Sequence, residues 1–260
     1  MQQGKCRLCL EEKQLIRSHL LPRSVYDYFR AAGSDPIILS EKLIIQSSRQ
    51  LQDYLLCAEC DNLLSKRGES WVLPLLAKID GTFPLSDIIH EQAPDIDEPD
   101  VRVYLASKNP KIDINKLAHF GLGIFWKASV HSWRGDRTEP LINLGRYGEP
   151  LRLYIKGQGP FPKEMSLTVG VLPQPVKLIS ANLPYRGSAE GHHNYLCYVS
   201  GLYYGLQVGR GISTEIKRGC FVANPGHPIL EAEFEQAIKT VTREVTAKAH
   251  IHKKVREYVE

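Results

Sequence analysis

Two Cys-x-x-Cys pairs near the N-terminus, Cys6 with Cys9 and Cys57 with Cys60, constrain this chain more than any other feature. One such turn can point two thiolates at a metal ion, so two turns can fill the four positions of a tetrahedral site. A redox function is the alternative, but neither pair has the strand-then-helix setting of a thioredoxin-like motif. The sequence therefore predicts one closed, structural Zn2+ site formed by these four cysteines.

Composition and charge narrow the class of protein without identifying it. The 260 residues include 33 Lys and Arg and 29 Asp and Glu, which gives a net charge of +4. A mildly basic chain permits a nucleic-acid partner but does not require one. Because there is neither a run of about eighteen apolar residues nor an apolar N-terminal signal, we expect no membrane span and no secretion. We therefore expect a reducing, cytoplasmic setting, in which thiolates stay available for zinc. Cys197 and Cys220 are expected to be buried without a role.

The pattern of apolar residues predicts an α+β fold in three segments. Residues 1–82 should form a zinc-binding domain, and residues 83–115, which are acidic and proline-containing, a linker or surface excursion. Residues 116–260 should form an α+β domain of unknown role. The elements expected in the first segment are strands at 13–19 and 36–45, a helix at 23–32, and a second helix that starts near Cys60 and ends at Gly68.

The remainder of the chain is expected to form helices around an antiparallel sheet. A largely buried helix is predicted over 116–133 and a closing helix over 228–258. Tyr195, Tyr198, Tyr203 and Tyr204 lie in the predicted strands and could stack on nucleic-acid bases, although β-propensity alone explains tyrosines there. The predicted strands are 151–155, 166–171, 176–179, 195–200 and 202–208.

Three short motifs in the first 67 residues together resemble a known family. They are Cys6-x-x-Cys9, His19-Leu-Leu-Pro22 and Leu56-Cys57-x-x-Cys60. This combination resembles the HNH (ββα-metal) endonucleases, in which two zinc knuckles flank a strand that carries a histidine. The resemblance implies a treble-clef arrangement of knuckle, strand, second knuckle and helix. It is similar, more loosely, to small HNH proteins of bacterial antiphage defence.

The resemblance implies metal-dependent hydrolysis of DNA, with RNA not excluded as the substrate. His19 would be the general base that takes a proton from the attacking water. Asp61, directly after the last cysteine, would be a ligand of one catalytic Mg2+ or Mn2+ ion. Lys66 and Arg67 follow the second knuckle and would contact the nucleic-acid backbone. Ser18 stands where the family carries Asp or His, and either Gln50 or Gln52 would orient His19 in place of the family's asparagine.

A second reading assigns no catalysis to these residues. His19 would satisfy a local backbone carbonyl, Asp61 would stabilise exposed N–H groups at a helix start, and Lys66 and Arg67 would form a solvated helix end. The protein would then be a zinc-stabilised module whose larger C-terminal part binds a protein or nucleic-acid partner. Ser18 is the feature that favours this alternative.

Overall fold

The N-terminal region is a three-stranded antiparallel sheet. The computed structural model describes residues 2–31, 37–40, 43–46, 50–133, 139–176 and 181–232. Between the second and third strands lie helix α1 and a hairpin of strands β3 and β4. The elements are β1 (Gln2–Lys5), β2 (Glu12–His19), α1 (Arg23–Ala31), β3 (Ile37–Ser40), β4 (Leu43–Gln46) and β5 (Gln52–Cys57), and the sheet order is β1-β2-β5.

A continuous helical run follows β5 and crosses a long central helix. It consists of α2 (Ala58–Leu64), a π-helical turn (Ser65–Glu69), α3 (Ser70–Val72) and a 3-10 turn (Leu73–Leu75). The expectation that Gly68 ends this helix is wrong, because the chain continues through Gly68 in the π turn. A Cβ atom at Gly68 would lie 2.8 Å from the backbone nitrogen of Phe120 in α5 (Ile114–Val130). Glycine therefore lets the two helices approach closely.

The second sheet has seven strands and is mixed rather than purely antiparallel. Five neighbouring pairs are antiparallel, but β12 (Pro228–Glu231) runs parallel to β8 (Met165–Val171), with Ile229 opposite Val169. The strands in spatial order are β6 (Ile96–Glu98), β7 (Val101–Leu105), β12 (Pro228–Glu231), β8 (Met165–Val171), β11 (Leu202–Val208), β10 (His193–Val199) and β9 (Tyr185–Gly187). The parallel pair occurs where the last described strand lies between β7 and β8.

The long helix α5 packs on this sheet and forms much of the core. Asp113 caps its start by accepting a hydrogen bond from the backbone nitrogen of Lys116 at 3.0 Å. Tyr204 of β11 is fully buried and its hydroxyl donates to the backbone oxygen of Leu117 at 3.0 Å. None of the described helices is both long and apolar enough to cross a bilayer.

Several predicted elements differ from those observed. Residues 151–155, expected as a strand, lie in α6 (Gly148–Lys156), where Leu151 and Ile155 share one buried face at helical spacing. Pro228 begins a strand, not a helix, and residues 233–260 of the predicted closing helix lie outside the described residues. Residues 177–179 of the predicted strand 176–179 also lie outside them.

The segment 83–115 contributes regular structure where a linker or surface excursion is expected. It contains α4 (Pro84–Ile89), and both β6 and β7 are strands of the seven-stranded sheet. Tyr104 in β7 is buried, whereas β6 is exposed along its whole length. The segment therefore forms one edge of the large sheet. The remaining short helix, α7 (Thr214–Arg218), precedes β12.

Candidate metal centre

The four cysteines of the two predicted knuckles come together at one end of the three-stranded sheet. The Sγ atoms of Cys6, Cys9, Cys57 and Cys60 all lie within 4.8 Å of one another. A tetrahedral ion with Zn–S bonds of about 2.3 Å would hold its sulfurs about 3.8 Å apart. The measured separation of Cys9 Sγ and Cys57 Sγ is 4.0 Å. The set therefore fits one tetrahedral ion such as Zn2+, and it is the one group of three or more such ligands among the described residues.

Strand pairing explains why residues fifty positions apart meet here. The first knuckle is the turn between β1 and β2, closed by hydrogen bonds from Leu10 N to Cys6 O and from Cys6 N to Glu11 O, both at 2.9 Å. β2 then pairs with β5 so that Leu15 lies opposite Cys57. Both knuckles therefore occur at the same end of the β2–β5 ladder.

Burial and hydrogen bonds shift the pKa values of three of the four thiols in different directions. Burial raises the pKa of the Cys57 thiol to about 11, and it raises that of Cys60 still further. Burial also acts to raise the pKa of Cys6, but hydrogen bonds from backbone N–H groups, among them that of Cys57 at 3.4 Å, outweigh it and lower this pKa. A divalent cation would favour the thiolate form at all four positions.

The expectation that neither Cys-x-x-Cys pair has a strand-then-helix setting is wrong for the second pair. Cys57 ends β5 and Cys60 lies in the first turn of α2, so this pair occupies a strand-to-helix junction. All six cysteines are free thiols, and the Cys57 sulfur lies near Cys9 of the other knuckle as well as near its own partner. The convergence of four sulfurs favours metal binding over a two-cysteine redox centre.

Arg152 of α6 lies beside the metal centre and had no signal in the sequence. Its guanidinium donates to the backbone oxygen of Leu8 inside the first knuckle and makes two 2.7 Å hydrogen bonds to Glu149. The residue is 8% exposed. Glu149 is the main reason that the pKa of Arg152 is raised, and the nearby thiols of Cys9 and Cys60 add to the effect. A buried positive charge next to four thiolates would offset part of their negative charge.

His19 lies at the other end of the β2–β5 ladder, opposite Gln52. Its Nε2 atom is 2.8 Å from Oε1 of Gln50, so of the two glutamines considered from the sequence it is Gln50 that contacts the ring. A carbonyl oxygen accepts hydrogen bonds, so this contact suits the His19 tautomer in which Nε2 carries the proton and Nδ1 has the free lone pair. In that tautomer Nδ1 is the nitrogen that can accept a proton.

A buried lysine and a second histidine also lie near this end of the ladder. Lys127 Nζ is 2.9 Å from the backbone oxygen of His19 and 3.2 Å from Oε1 of Glu69, and its side chain is 5% exposed. His131 Nε2 lies 2.9 Å from Oδ2 of Asp53. Neither contact has a signal in the sequence. In each, the partners are brought together by tertiary packing, which leaves no local spacing pattern.

Asp61 and His19 lie at different distances from Cys57 along the elements that carry them. Asp61 is one turn into α2, about 6 Å along the helix from Cys57. His19 pairs with Gln52, and Gln52 is separated from Cys57 by about 16 Å along strand β5. The Lys127 ammonium contacts both the Glu69 carboxylate and the backbone oxygen of His19. Glu69 is therefore a helix carboxylate that lies near His19. Among the described residues, no group of three or more metal-ligating side chains includes either Asp61 or His19.

The remaining predicted site residues occupy varied environments. Ser18 is 1% exposed, and its Oγ atom has no hydrogen-bond partner among the described residues. Arg67 donates to the backbone oxygen of Ile155, the last buried residue of α6, at 2.9 Å. Lys66 is exposed. Of the two cations expected to contact nucleic acid, Lys66 is therefore the one with a solvated side chain.

Comparison with protein-family models, with curated proteins and with solved structures finds no match to this chain.

Proposed function

We propose that this chain is an HNH-type, metal-dependent nuclease that hydrolyses phosphodiester bonds in DNA. The observation that carries the proposal is the His19–Gln50 hydrogen bond of 2.8 Å, on a strand whose other end is held at the four-cysteine centre. The motif resemblance supports it independently and also favours antiphage defence as the biological setting. The cysteine site would be structural Zn2+, because four thiolates leave no open position for water.

In the proposed reaction, His19 acts as the general base. Gln50 fixes the ring so that Nδ1 accepts the proton of the attacking water. A divalent Mg2+ or Mn2+ ion, when bound, would polarise the phosphate and stabilise the leaving oxygen. Asp61 is the ligand that the resemblance implies for this ion, and Glu69 is the alternative that lies nearer to His19. Lys66 would contact the nucleic-acid backbone.

A non-catalytic, zinc-stabilised binding module is the second candidate. One observation favours it: Ser18, at the position where the family carries Asp or His, is buried and its hydroxyl faces no described partner. The Glu69 carboxylate is also already paired with Lys127. In this reading the cysteine centre organises the N-terminal sheet, and the larger C-terminal part binds a protein or nucleic acid.

A cleavage assay separates the two candidates. The zinc-loaded protein is incubated with Mg2+ or Mn2+ and with labelled double-stranded DNA, single-stranded DNA or RNA. We expect cleavage by the wild type and by His119→Ala, a histidine whose Nδ1 is bound to the backbone oxygen of Asn115. We expect none by His19→Ala, at unchanged zinc content and melting temperature. Equal cleavage by His19→Ala would reject His19 as the base.

The metal ligand is tested in the same assay. Asp61→Ala and Glu69→Gln are compared for the Mg2+ concentration that supports half-maximal cleavage. The variant that removes the true metal ligand should need a higher Mg2+ concentration for half-maximal cleavage. The other variant should need the same concentration as the wild type. No cleavage of any substrate with any divalent ion would favour the binding-module candidate.

A further inference from the structure

A second polar site occurs on the seven-stranded sheet, beside its edge strand β9. Two adjoining cavities of about 420 and 360 Å3 open there, and Tyr147, Arg186 and His193 line both. We call this continuous feature the β9 groove. Each cavity alone falls within the size range of small-ligand pockets. The groove is made by β9, β10 and their connection, by the segment before α6, and by the end of β11 with the turn that carries Arg210; none of the cysteines of the metal centre lines it.

The groove is strongly cationic. Arg146, Arg186 and Arg210 line it, and Glu139 is the one carboxylate among those lining residues that the structure describes. Glu164, which is not a lining residue, contributes a small interaction with Arg146. Within the described part of the chain, no ion pair involves Arg186 or Arg210. These two guanidiniums are available for an anionic ligand.

Aromatic rings lie among these guanidiniums. Tyr195 is 3% exposed, its hydroxyl donates to the backbone oxygen of Asn143, and it pairs with Arg186 across β9 and β10. His193 stacks on Tyr195 with ring centroids 6.1 Å apart and planes at 22°. Tyr147 is half-buried at the junction of the two cavities.

Tyr147 is in turn oriented by an arginine. Arg146 lies over its ring at 4.9 Å from the centroid and donates to its hydroxyl at 2.7 Å. The groove therefore presents flat rings and guanidinium forks side by side. Guanidinium groups recognise phosphate oxygens with two parallel hydrogen bonds, and aromatic side chains stack on bases of any sequence.

We propose that the β9 groove binds single-stranded nucleic acid, with Arg186 and Arg210 on successive phosphates and Tyr147 stacked on a base. Two adjoining cavities that share Tyr147 suit consecutive nucleotides rather than one isolated anion. The proposal goes beyond the nuclease assignment and does not depend on it, because binding here needs neither His19 nor a divalent ion.

The test is fluorescence anisotropy of a labelled single strand of about twelve nucleotides, at several salt concentrations and without divalent ions. Arg186→Ala/Arg210→Ala should raise Kd about ten-fold or more and reduce the salt slope by about one per lost phosphate contact. Lys217→Ala, an exposed cation of α7 that lines neither cavity, is the matched control and should bind like the wild type.

Stacking is tested separately at Tyr147. Tyr147→Ala should weaken binding about ten-fold, whereas Tyr147→Phe keeps the ring and should restore most of the affinity. All variants are first matched to the wild type by circular dichroism and melting temperature. An unchanged Kd for the double arginine variant, or an equal loss in Lys217→Ala, would overturn the proposal.

Two further ligands, a duplex and a mononucleotide, test whether the β9 groove prefers a single strand. We expect a duplex of the same sequence to bind more weakly than the single strand, and a mononucleotide to compete only at much higher concentration. Competition by the mononucleotide as strong as that by the strand would reject the strand in favour of a single nucleotide. Because no cleavage is measured, a failed nuclease assay leaves this result unaffected.

Discussion

The Nζ atom of Lys127 lies 2.9 Å from the backbone oxygen of His19, a residue 108 positions earlier in the chain. Helix α5, which packs on the seven-stranded sheet, thereby contacts the end of strand β2 in the three-stranded sheet. The same ammonium lies 3.2 Å from Oε1 of Glu69, so it joins β2, the helical run after β5 and α5. The proposed base is thus anchored through its backbone by a residue outside the region of family resemblance.

Removal of Lys127 should destabilise the protein strongly. Lys127→Ala leaves the Glu69 carboxylate and the His19 carbonyl without their partner, and breaking a buried pair typically costs about 3–5 kcal/mol. Lys116→Ala is the control on the same helix, because its pair with Asp113 is more exposed and is worth about 0–1 kcal/mol. Urea unfolding of both variants measures the difference, and equal losses would contradict the role of Lys127.

The sequence predicted those features of the fold and the site that are encoded by residues close together in the chain. The cysteine site was predictable because each Cys-x-x-Cys pair encodes its own turn, and the apolar residues of 116–133 predicted α5. The prediction of a strand over residues 151–155 was wrong because a short apolar run fits a strand as well as a helix. The left-handed Gly157, with φ of 74°, ends the helix there.

The contacts around His19 and the cysteines follow from tertiary packing instead. Lys127 and Arg152 look like ordinary surface cations in the sequence, yet both are buried and donate to backbone oxygens more than a hundred residues away. Nothing in the spacing of charged residues indicates which of them a fold will bury. The parallel pairing of β12 with β8 is a similar case, because strand order is set by the whole sheet.

Zinc should be bound at one ion per chain, and the N-terminal sheet should depend on it. Cys57→Ser removes a ligand at the junction of β5 and α2, so we expect loss of zinc and a large fall in melting temperature, because zinc binding here contributes directly to folding. Cys197→Ala is the control, since Cys197 is buried in the large sheet away from the other thiols. Elemental analysis should find zinc unchanged in the control; zinc retained in Cys57→Ser would contradict the site.

Arg152 should tune the affinity of this site without being a ligand. Arg152→Ala removes the donor to Leu8 O and a buried positive charge beside the thiols, and loss of such supporting contacts typically lowers metal affinity 10–100-fold. Arg7→Ala removes an exposed charge inside the first knuckle and serves as the control. Competition with a chromogenic chelator measures both affinities. If Arg7→Ala weakens zinc binding as much, general charge rather than the Arg152 contact is responsible.

Two glycines of α5 should respond to alanine in opposite directions. Alanine usually stabilises a helix relative to glycine by up to about 1 kcal/mol, and Gly123→Ala should do so, because its new Cβ would meet only Leu64 at 3.9 Å. A Cβ at Gly121 would lie 2.3 Å from the ring of Tyr204, which is fully buried.

Because the Tyr204 ring cannot move without disturbing β11, Gly121→Ala should lose about 1–3 kcal/mol of unfolding free energy. Urea denaturation of the two variants gives the comparison under identical conditions. The double variant Gly121→Ala/Tyr204→Leu, which shortens the clashing side chain, should lose less than the sum of its two single variants. A gain in stability for Gly121→Ala would mean that α5 and β11 do not pack at this distance.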